Sequence, residues 1–529
     1  MHELTPGLPA SSGDYRVVSG WQNVRRGYAQ YLSDESRLTA GRVEAVHFPE
    51  TPDDVAAAVR AARAAGHRVA VSGARTGITG AAVPVEAEEV IALERIHPRP
   101  AVRQAPDGRW FVCVGAGTTL AELADALDHG LCDYPDGRPA RPLFYPVDST
   151  ETSAQIGGTI ATNASGARTL HYGPTRRWVK ALTAVTADGR ILELERGRVR
   201  AADGRLTWRR ADGTAAEVVT PDIPRPRTKH TAGYALRRDM DAVDLFVGSE
   251  GTLGIVARAE LWLAEKPANR LFLTQFLDDG PGAVRLVAAC LEHPDLDPIA
   301  LEYIDSRAMA LVRKMGRDTP AYVEVSRLPA DARAAVYLEH AFEDERHLDR
   351  VHAALTDVLA RVGLSADRTW AGFADRDLNE MKRLRHAVPE TVNAIIGRRK
   401  LEMPDLHKVG TDMAVPLDSL QEMLSLYEQR LTACGIEFVI FGHIGDGHLH
   451  VNILPRTAEE MARSQDLYMD FAREAVRLGG SVAAEHGIGR LKRKFLAVQF
   501  SPSDLAAMRA VKQALDPDGT LNPGVLFET

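Results

Sequence analysis

Residues 145–173 read YPVDSTETSAQIGGTIATNASGARTLHYG, a stretch with little capacity to build a core. Gly, Ala, Ser and Thr dominate it, and such residues bury too little apolar surface to hold a segment together. What small residues do well is let a backbone approach a flat ligand closely. Two further glycine-rich segments accompany it. VSGARTGITGAAVP at 71–84 spaces Gly73, Gly77 and Gly80 so that backbone N–H groups can converge on a diphosphate. VGSEGTLGIV covers 247–256. Three such loops point to a large nucleotide cofactor. They do not form the dinucleotide fingerprint G-x-G-x-x-G between strand and helix. VGAGTTLAEL at 114–123 comes nearest, but Leu120 stands where the third glycine belongs.

The chain has 529 residues, enough for more than one domain. A net charge of -8 gives no electrostatic case for nucleic acid or an anionic membrane. Cys113, Cys132, Cys290 and Cys434 lie far apart, with no Cys-x-x-Cys. That argues against an internal iron–sulfur cluster and against a disulfide framework, and it suits a reducing compartment. The N-terminus lacks the basic-then-apolar order of a secretion signal, and no run of about 18 apolar residues is long enough to span a bilayer. The expected location is cytoplasmic, with loose attachment to the inner membrane surface left open.

Texture divides the chain. Residues 1–40 read as an extension leading into the first domain. VEAVHFPETPDDVAAAVRAARAAGHRVAVSGA reads strand, helix, strand, with capping signals at Thr51, Pro52 and Asp53. RWFVCVGAGTTLAELADAL repeats the strand-to-helix plan. Between 176 and 265, β-rich segments alternate with Asp-Gly turns at 188–189, 203–204 and 212–213. The polar stretch 196–230 reads as an exposed insertion. From 266, long helical patterns alternate with strands, including the helix MKRLRHAVPETVNAIIG and the strands HKVGTDMAVP and IEFVIFGHI. This gives a first domain over 41–265, a second over 266–515, and a turn-rich segment, 516–529, returning to the first.

FGHIGDGHLH at 441–450 places three histidines and an aspartate directly after an apolar strand. Burying that many polar groups is costly unless each finds a partner. Imidazoles are the commonest metal ligands, and Zn²⁺ takes them with a carboxylate in open catalytic sites. Gly442, Gly445 and Gly447 let the chain turn sharply. Beyond the turn, His448, His450 and Asn452 share a strand face because side chains alternate with period two. In AAEHGIGR, adjacent Glu485 and His486 point in different directions, so one can bind metal while the other faces substrate. The local reading is a two-histidine, one-carboxylate site. Zn²⁺ fits those ligands, and Mn²⁺ or Fe²⁺ would also accept them.

SGARTGITGAAVP, YPVDSTETSAQIGGTIATNASGARTLHYG and VGSEGTLGIV resemble the FAD-binding domain of the vanillyl-alcohol oxidase / p-cresol methylhydroxylase flavoproteins. FGHIGDGHLHVNILP, AEHGIGRLKR and LDPDGTLNPG resemble the branch of D-2-hydroxyacid dehydrogenases, which includes D-lactate and D-2-hydroxyglutarate dehydrogenases and the glycolate oxidase catalytic subunit. The resemblance covers about residues 41–529. It implies an α+β fold: a two-part FAD-binding domain of the p-cresol methylhydroxylase type, then a C-terminal α+β substrate (cap) domain with an antiparallel sheet. It implies that Gly73, Ala74, Arg75, Thr76, Gly77, Ile78, Thr79 and Gly80 hold the FAD diphosphate. Pro146, Asp148, Ser153, Gly157, Gly158, Ser165, Gly251, Gly254, Ile255 and Asn522 would line the cofactor.

The same resemblance implies His443, His450 and Glu485 as metal ligands, His486 as catalytic base, and Asn452, Arg385 and Lys408 as substrate contacts. His448 stands where related sequences often have Asn, and is either a spare ligand or a group behind the ligands. Pro389 replaces a Thr of the D-2-hydroxyglutarate enzymes, which tilts the expectation to a smaller substrate such as D-lactate. The expected reaction is metal-assisted oxidation of a D-2-hydroxy acid to the 2-oxo acid. Electrons would pass to an external acceptor: a quinone, a cytochrome or an electron-transfer protein. A metal-free alcohol oxidase of the same scaffold is the rival reading, and a homodimer is left open. Some members of the superfamily attach FAD through a histidine in the first loop, but residues 71–84 contain none. FAD is therefore expected to be dissociable. Heat denaturation should release the yellow flavin to the supernatant; a pellet that keeps the colour would contradict this.

Overall fold

The computed structural model of the chain describes residues 15–209, 215–318, 328–373 and 375–528. The helix Pro52–Ala64 shows how local sequence signals set the first part. The Thr51 hydroxyl accepts from Asp54 N, and the Asp54 carboxylate accepts from Thr51 N, a reciprocal cap. Val55, Val59 and Ala62 then form its buried stripe. Around it lie strands Ala45–Phe48, Glu89–Ala92 and Val69–Ser72, paired in parallel. Arg16–Ser19 pairs antiparallel with Ala45–Phe48. Residues 16–19, read from sequence within a leading extension, are thus the edge strand of the first sheet. Pairing satisfies backbone groups that the edge would otherwise leave open.

A second, antiparallel sheet orders its strands as Ala101–Gln104, Trp110–Gly115, Ile255–Trp262, Val179–Val185 and Ile191–Glu195. The end of the chain comes back to the first sheet. Leu521 bridges Val69, Asn522 N donates to the Val69 carbonyl, and Val71 N donates to Asn522 Oδ1.

The third sheet is antiparallel, with seven strands in the order Thr369–Gly372, Asn269–Leu277, Ala334–Phe342, Pro298–Asp305, Phe438–Gly442, His450–Ile453 and Val409–Gly410. Helices Gly280–Glu292 and Glu345–Val362 pack against each other and against this sheet. The helix expected at MKRLRHAVPETVNAIIG is present within Asp375–Arg399, and Leu420–Cys434 forms a further helix. Among the described residues no helix is long and apolar enough to cross a membrane.

Two local expectations fail. The strand expected at HKVGTDMAVP shrinks to Val409–Gly410. Beyond it the chain carries Asp412 into the interior, and Ala414 makes single bridges to His448 and Ser481. The stretch 196–230 is not simply an exposed insertion. It forms the strands Arg205–Arg209 and Ala215–Val219, whose turn at 212–213 lies outside the described residues, and it ends with a Lys229 side chain only 3 % exposed.

The small-residue stretch is held against the third sheet. Its short helix Thr169–Tyr172 packs on Pro298–Asp305. Arg168 donates to both carboxylate oxygens of Glu339, at 3.2 and 3.1 Å. The two side chains are 14 % and 4 % exposed, with Asp148 3.7 Å from the guanidinium and Arg270 3.4 Å from the carboxylate as further partners. Glu339→Leu should lower stability by about 3 kcal/mol, because it removes both hydrogen bonds of a buried guanidinium to its nearest carboxylate. The double variant Arg168→Met/Glu339→Leu should recover most of that loss, as read by denaturant unfolding of the four-member cycle.

Candidate active site

The hairpin joining Phe438–Gly442 to His450–Ile453 builds the histidine cluster. Gly442 sits at φ 128°, where an added Cβ would lie 2.8 Å from the His450 ring. Gly447 sits at φ 65°, where a Cβ would meet the Val415 carbonyl at 1.9 Å. Between them, Asp446 N and His448 N both donate to the His443 carbonyl. Phe441 pairs with His450 across the ladder. The turn therefore brings His443 and His448 beside His450, with ring centroids 4.3–5.4 Å apart.

Glu485 completes the cluster. One ligand atom from each of His443, His448, His450 and Glu485 lies within 4.8 Å of the others. His443 Nε2 is 3.4 Å from Glu485 Oε2, and His450 Nε2 is 3.2 Å from Oε1. His443 Nδ1 lies 2.5 Å from Glu302 Oε1, which leaves Nε2 turned to the cluster. Burial disfavours the charged form of His443, but Glu302 and Glu485 outweigh it and lift its pKa to about 9. Burial, with help from His450, holds His448 well below the usual imidazole range. Burial also opposes ionisation of Glu485, yet Lys229 and His443 keep its pKa well below the usual carboxylate range. His448 Nε2 faces Asp412 Oδ1 at 3.3 Å, while Nδ1 is buried without a hydrogen-bond partner, 4.0 Å from Glu485 Oε2. A buried imidazole nitrogen without a partner, beside two other imidazoles and a carboxylate, fits a divalent cation. His448, left out of the sequence-derived ligand set, is part of the geometric one.

Two buried carboxylates hold the segment that carries Glu485. Asp412, fully buried, accepts from Glu485 N and His486 N at 3.1 Å each and from Lys492 Nζ at 2.7 Å. Glu250 accepts from Ile488 N and Gly489 N, both at 2.8 Å. Burial pushes the Glu250 carboxyl up to about 7. His486 is 27 % exposed, with Nδ1 3.5 Å from Asp412 Oδ1. Burial pushes its pKa down to about 4, which leaves the ring neutral near pH 7.

The three glycine-rich loops enclose a cavity of about 340 Å³, and Glu485 and His486 form part of its wall. Of the residues expected to hold the cofactor, Gly73, Ala74, Arg75, Thr76, Gly77, Ile78, Thr79, Gly157, Gly158, Ser165, Gly251, Gly254, Ile255 and Asn522 line it. Pro146, Asp148, Ser153 and Gly80 lie off its wall. Ser153 bonds Glu151, Asp148 faces Arg168 at 3.7 Å, and Gly80 packs against Leu38. Gln155 Oε1 and Ser165 Oγ are buried on this wall without partners, polar atoms that a nucleotide cofactor would satisfy. Asn522 bridges the loops, donating to the Glu250 carbonyl while accepting from Val71 N.

Asn452 and Lys408 are not on this cavity wall. Asn452 is buried one side-chain repeat beyond His450. Lys408 donates to Asn393 Oδ1 at 2.9 Å, and burial lowers its pKa. Arg385 lies in the helix Asp375–Arg399, with its side chain outside the described residues. Sequence reasoning missed Glu302, Asp412, Lys229 and Glu250. For Glu302 the available signal was a carboxylate in the middle of the otherwise apolar run PIALEYI.

Comparison with known proteins agrees with this geometry. The family described as FAD linked oxidases, C-terminal domain, matches residues 266–526, and an FAD binding domain matches residues 43–195. D-2-hydroxyglutarate dehydrogenase of Xanthomonas citri pv. viticola is 31 % identical over 94 % of this chain and 92 % of its own length. D-lactate dehydrogenase of Archaeoglobus fulgidus is 29 % identical over 90 % of this chain and 89 % of its own. Glycolate oxidase subunit GlcD of Bacillus subtilis is 26 % identical, covering 96 % and 95 %. A solved alkyldihydroxyacetonephosphate synthase shares the fold, with a TM-score of 0.61 at 16 % identity over 92 % of this chain and 77 % of that one. The chain belongs to the FAD-linked oxidase family, with an N-terminal FAD-binding domain and a C-terminal domain built on an antiparallel sheet.

Asp412→Asn turns an amide N–H toward groups that are themselves donors. It should cost about 3–5 kcal/mol, because it removes the buried charge that Lys492 pairs with. Chemical denaturation should show this drop, whereas Asp418→Asn, at an exposed position, should not.

Proposed function

We propose that the chain oxidises a small D-2-hydroxy acid, D-lactate in the first instance, to the 2-oxo acid. FAD is held non-covalently in the glycine-lined cavity. A divalent cation, Zn²⁺ first among the candidates, is held by His443, His450 and Glu485, with His448 beside them. One observation carries the reading: Glu485 belongs at once to the cation cluster and to the wall of the cofactor cavity, and His486, next to it in the chain, lines the same wall. A substrate spanning the two would be held against both.

A cation held by His443, His450 and Glu485 would supply Lewis acidity toward the substrate hydroxyl and carboxylate, and FAD in the glycine-lined cavity would supply the hydride acceptor. The protein's own part is positioning and proton transfer. His486 turns Nδ1 toward Asp412, so Nε2 is the atom that takes the hydroxyl proton. Arg385 and Lys408 supply positive charge to the substrate carboxylate in this reading, a task suited to a guanidinium fork. Asn452 supplies an amide contact. An acceptor outside the chain takes the electrons.

The choice of D-lactate rests on size. Beside Gly442 and Glu302 lies a cavity of about 40 Å³, whose Glu339 is paired with Arg168 and Arg270 and whose Glu302 is paired with His443. The small volume suits a methyl-sized side chain. D-2-hydroxyglutarate is the competing substrate, favoured by the names of the relatives at 30 and 31 % identity.

Anaerobic mixing with D-lactate, L-lactate, D-2-hydroxyglutarate and glycolate tests the reading through the flavin absorbance. D-lactate should bleach it fastest. Faster bleaching by D-2-hydroxyglutarate would reverse the substrate order. No bleaching of metal-replete holoenzyme by any of the four would defeat the hydroxyacid reading itself.

A further inference from the structure

Lys229 has no place in the reaction above, yet it sits at the cation cluster. Its side chain is 3 % exposed. Its ammonium lies 2.8 Å from Glu485 Oε2, 3.3 Å from the Gly166 carbonyl and 3.9 Å from Asp446 Oδ2. Two of its donors are engaged, by Glu485 and the Gly166 carbonyl, and the Asp446 carboxylate lies just beyond hydrogen-bond reach. With almost no surface to offer, Lys229 is not a substrate contact. It reaches Glu485 from the FAD-binding side of the molecule. Gly166 belongs to the small-residue stretch, next to Ser165 on the cavity wall.

We propose that Lys229 is the positioning residue for Glu485. It occupies Oε2 and leaves Oε1 turned toward His450, so the carboxylate is set for the cation before the cation arrives. The inference rests on the metal reading above. Two opposing effects are in play: an ammonium repels a nearby dication, and it also orients and neutralises the carboxylate that must bind that dication. The geometry favours orientation. The Gly166 carbonyl anchors the ammonium independently of Glu485, so the lysine is not simply filling the cation's place. The same contact makes the set of the cation ligand depend on the loop that lines the cofactor cavity.

The test uses FAD-loaded protein and the variants Lys229→Met, Lys229→Gln and Lys229→Arg. Zn²⁺ affinity is read by competition with a chromogenic chelator, and ligand geometry from the visible bands of the Co²⁺-substituted protein. Lys229→Met should weaken Zn²⁺ binding by about 10- to 100-fold, the usual effect of losing a group that orients a ligand. It should also shift the Co²⁺ bands and leave flavin content unchanged, and Lys229→Arg should restore most of the affinity. If Lys229→Met does not fold, Lys229→Gln decides, with an expected loss of about tenfold. Wild-type or tighter Zn²⁺ binding with unchanged Co²⁺ bands in a folded Met or Gln variant overturns the assignment of Lys229. Wild-type protein that binds neither ion overturns the metal reading instead.

Discussion

Asp412 and Glu250 grip a single five-residue segment, and the site depends on that grip. Asp412 comes from the C-terminal domain and takes the N–H groups of Glu485 and His486; Glu250 comes from the FAD-binding domain and takes those of Ile488 and Gly489. The segment is thus suspended between the two halves of the molecule. A buried carboxylate is costly unless fully paired. Asp412 meets that cost with Lys492 and two backbone donors, so its position is tightly set. The consequence is geometric: Glu485 is delivered to the histidines and His486 to the cofactor cavity by one stretch of backbone.

Much of this arrangement is legible in the sequence where a residue type has one physical use. The run 145–173 is too small-sided to be core, and it lines the cavity through Gly157, Gly158 and Ser165. His443 and His450 are legible because a glycine turn followed by period-two alternation brings them together. His448 is harder. Alternation gives its face, but only the fold shows that Nε2 meets Asp412 while Nδ1 is buried without a partner.

What escaped the sequence reading depends on distant partners. Lys229 lies in a stretch rich in Arg and Pro that reads like solvent-exposed loop, and only the position of Glu485, 256 residues away, shows otherwise. Glu302 and Asp412 are charges set among apolar residues, which signals a buried partner without naming it. The N-terminal strand Arg16–Ser19 was missed because four residues carry too little pattern, and its place is fixed by the free edge of Ala45–Phe48.

The central claim is that the cofactor cavity and the histidine cluster are one site meeting at Glu485 and His486. Anomalous diffraction at the absorption edge of a loaded metal, in crystals of the FAD-bound protein, tests it most directly. The account predicts one strong peak within bonding distance of His443, His450 and Glu485, with the flavin ring close to His486. A peak at some other position, or a flavin ring seated away from His486, would contradict it.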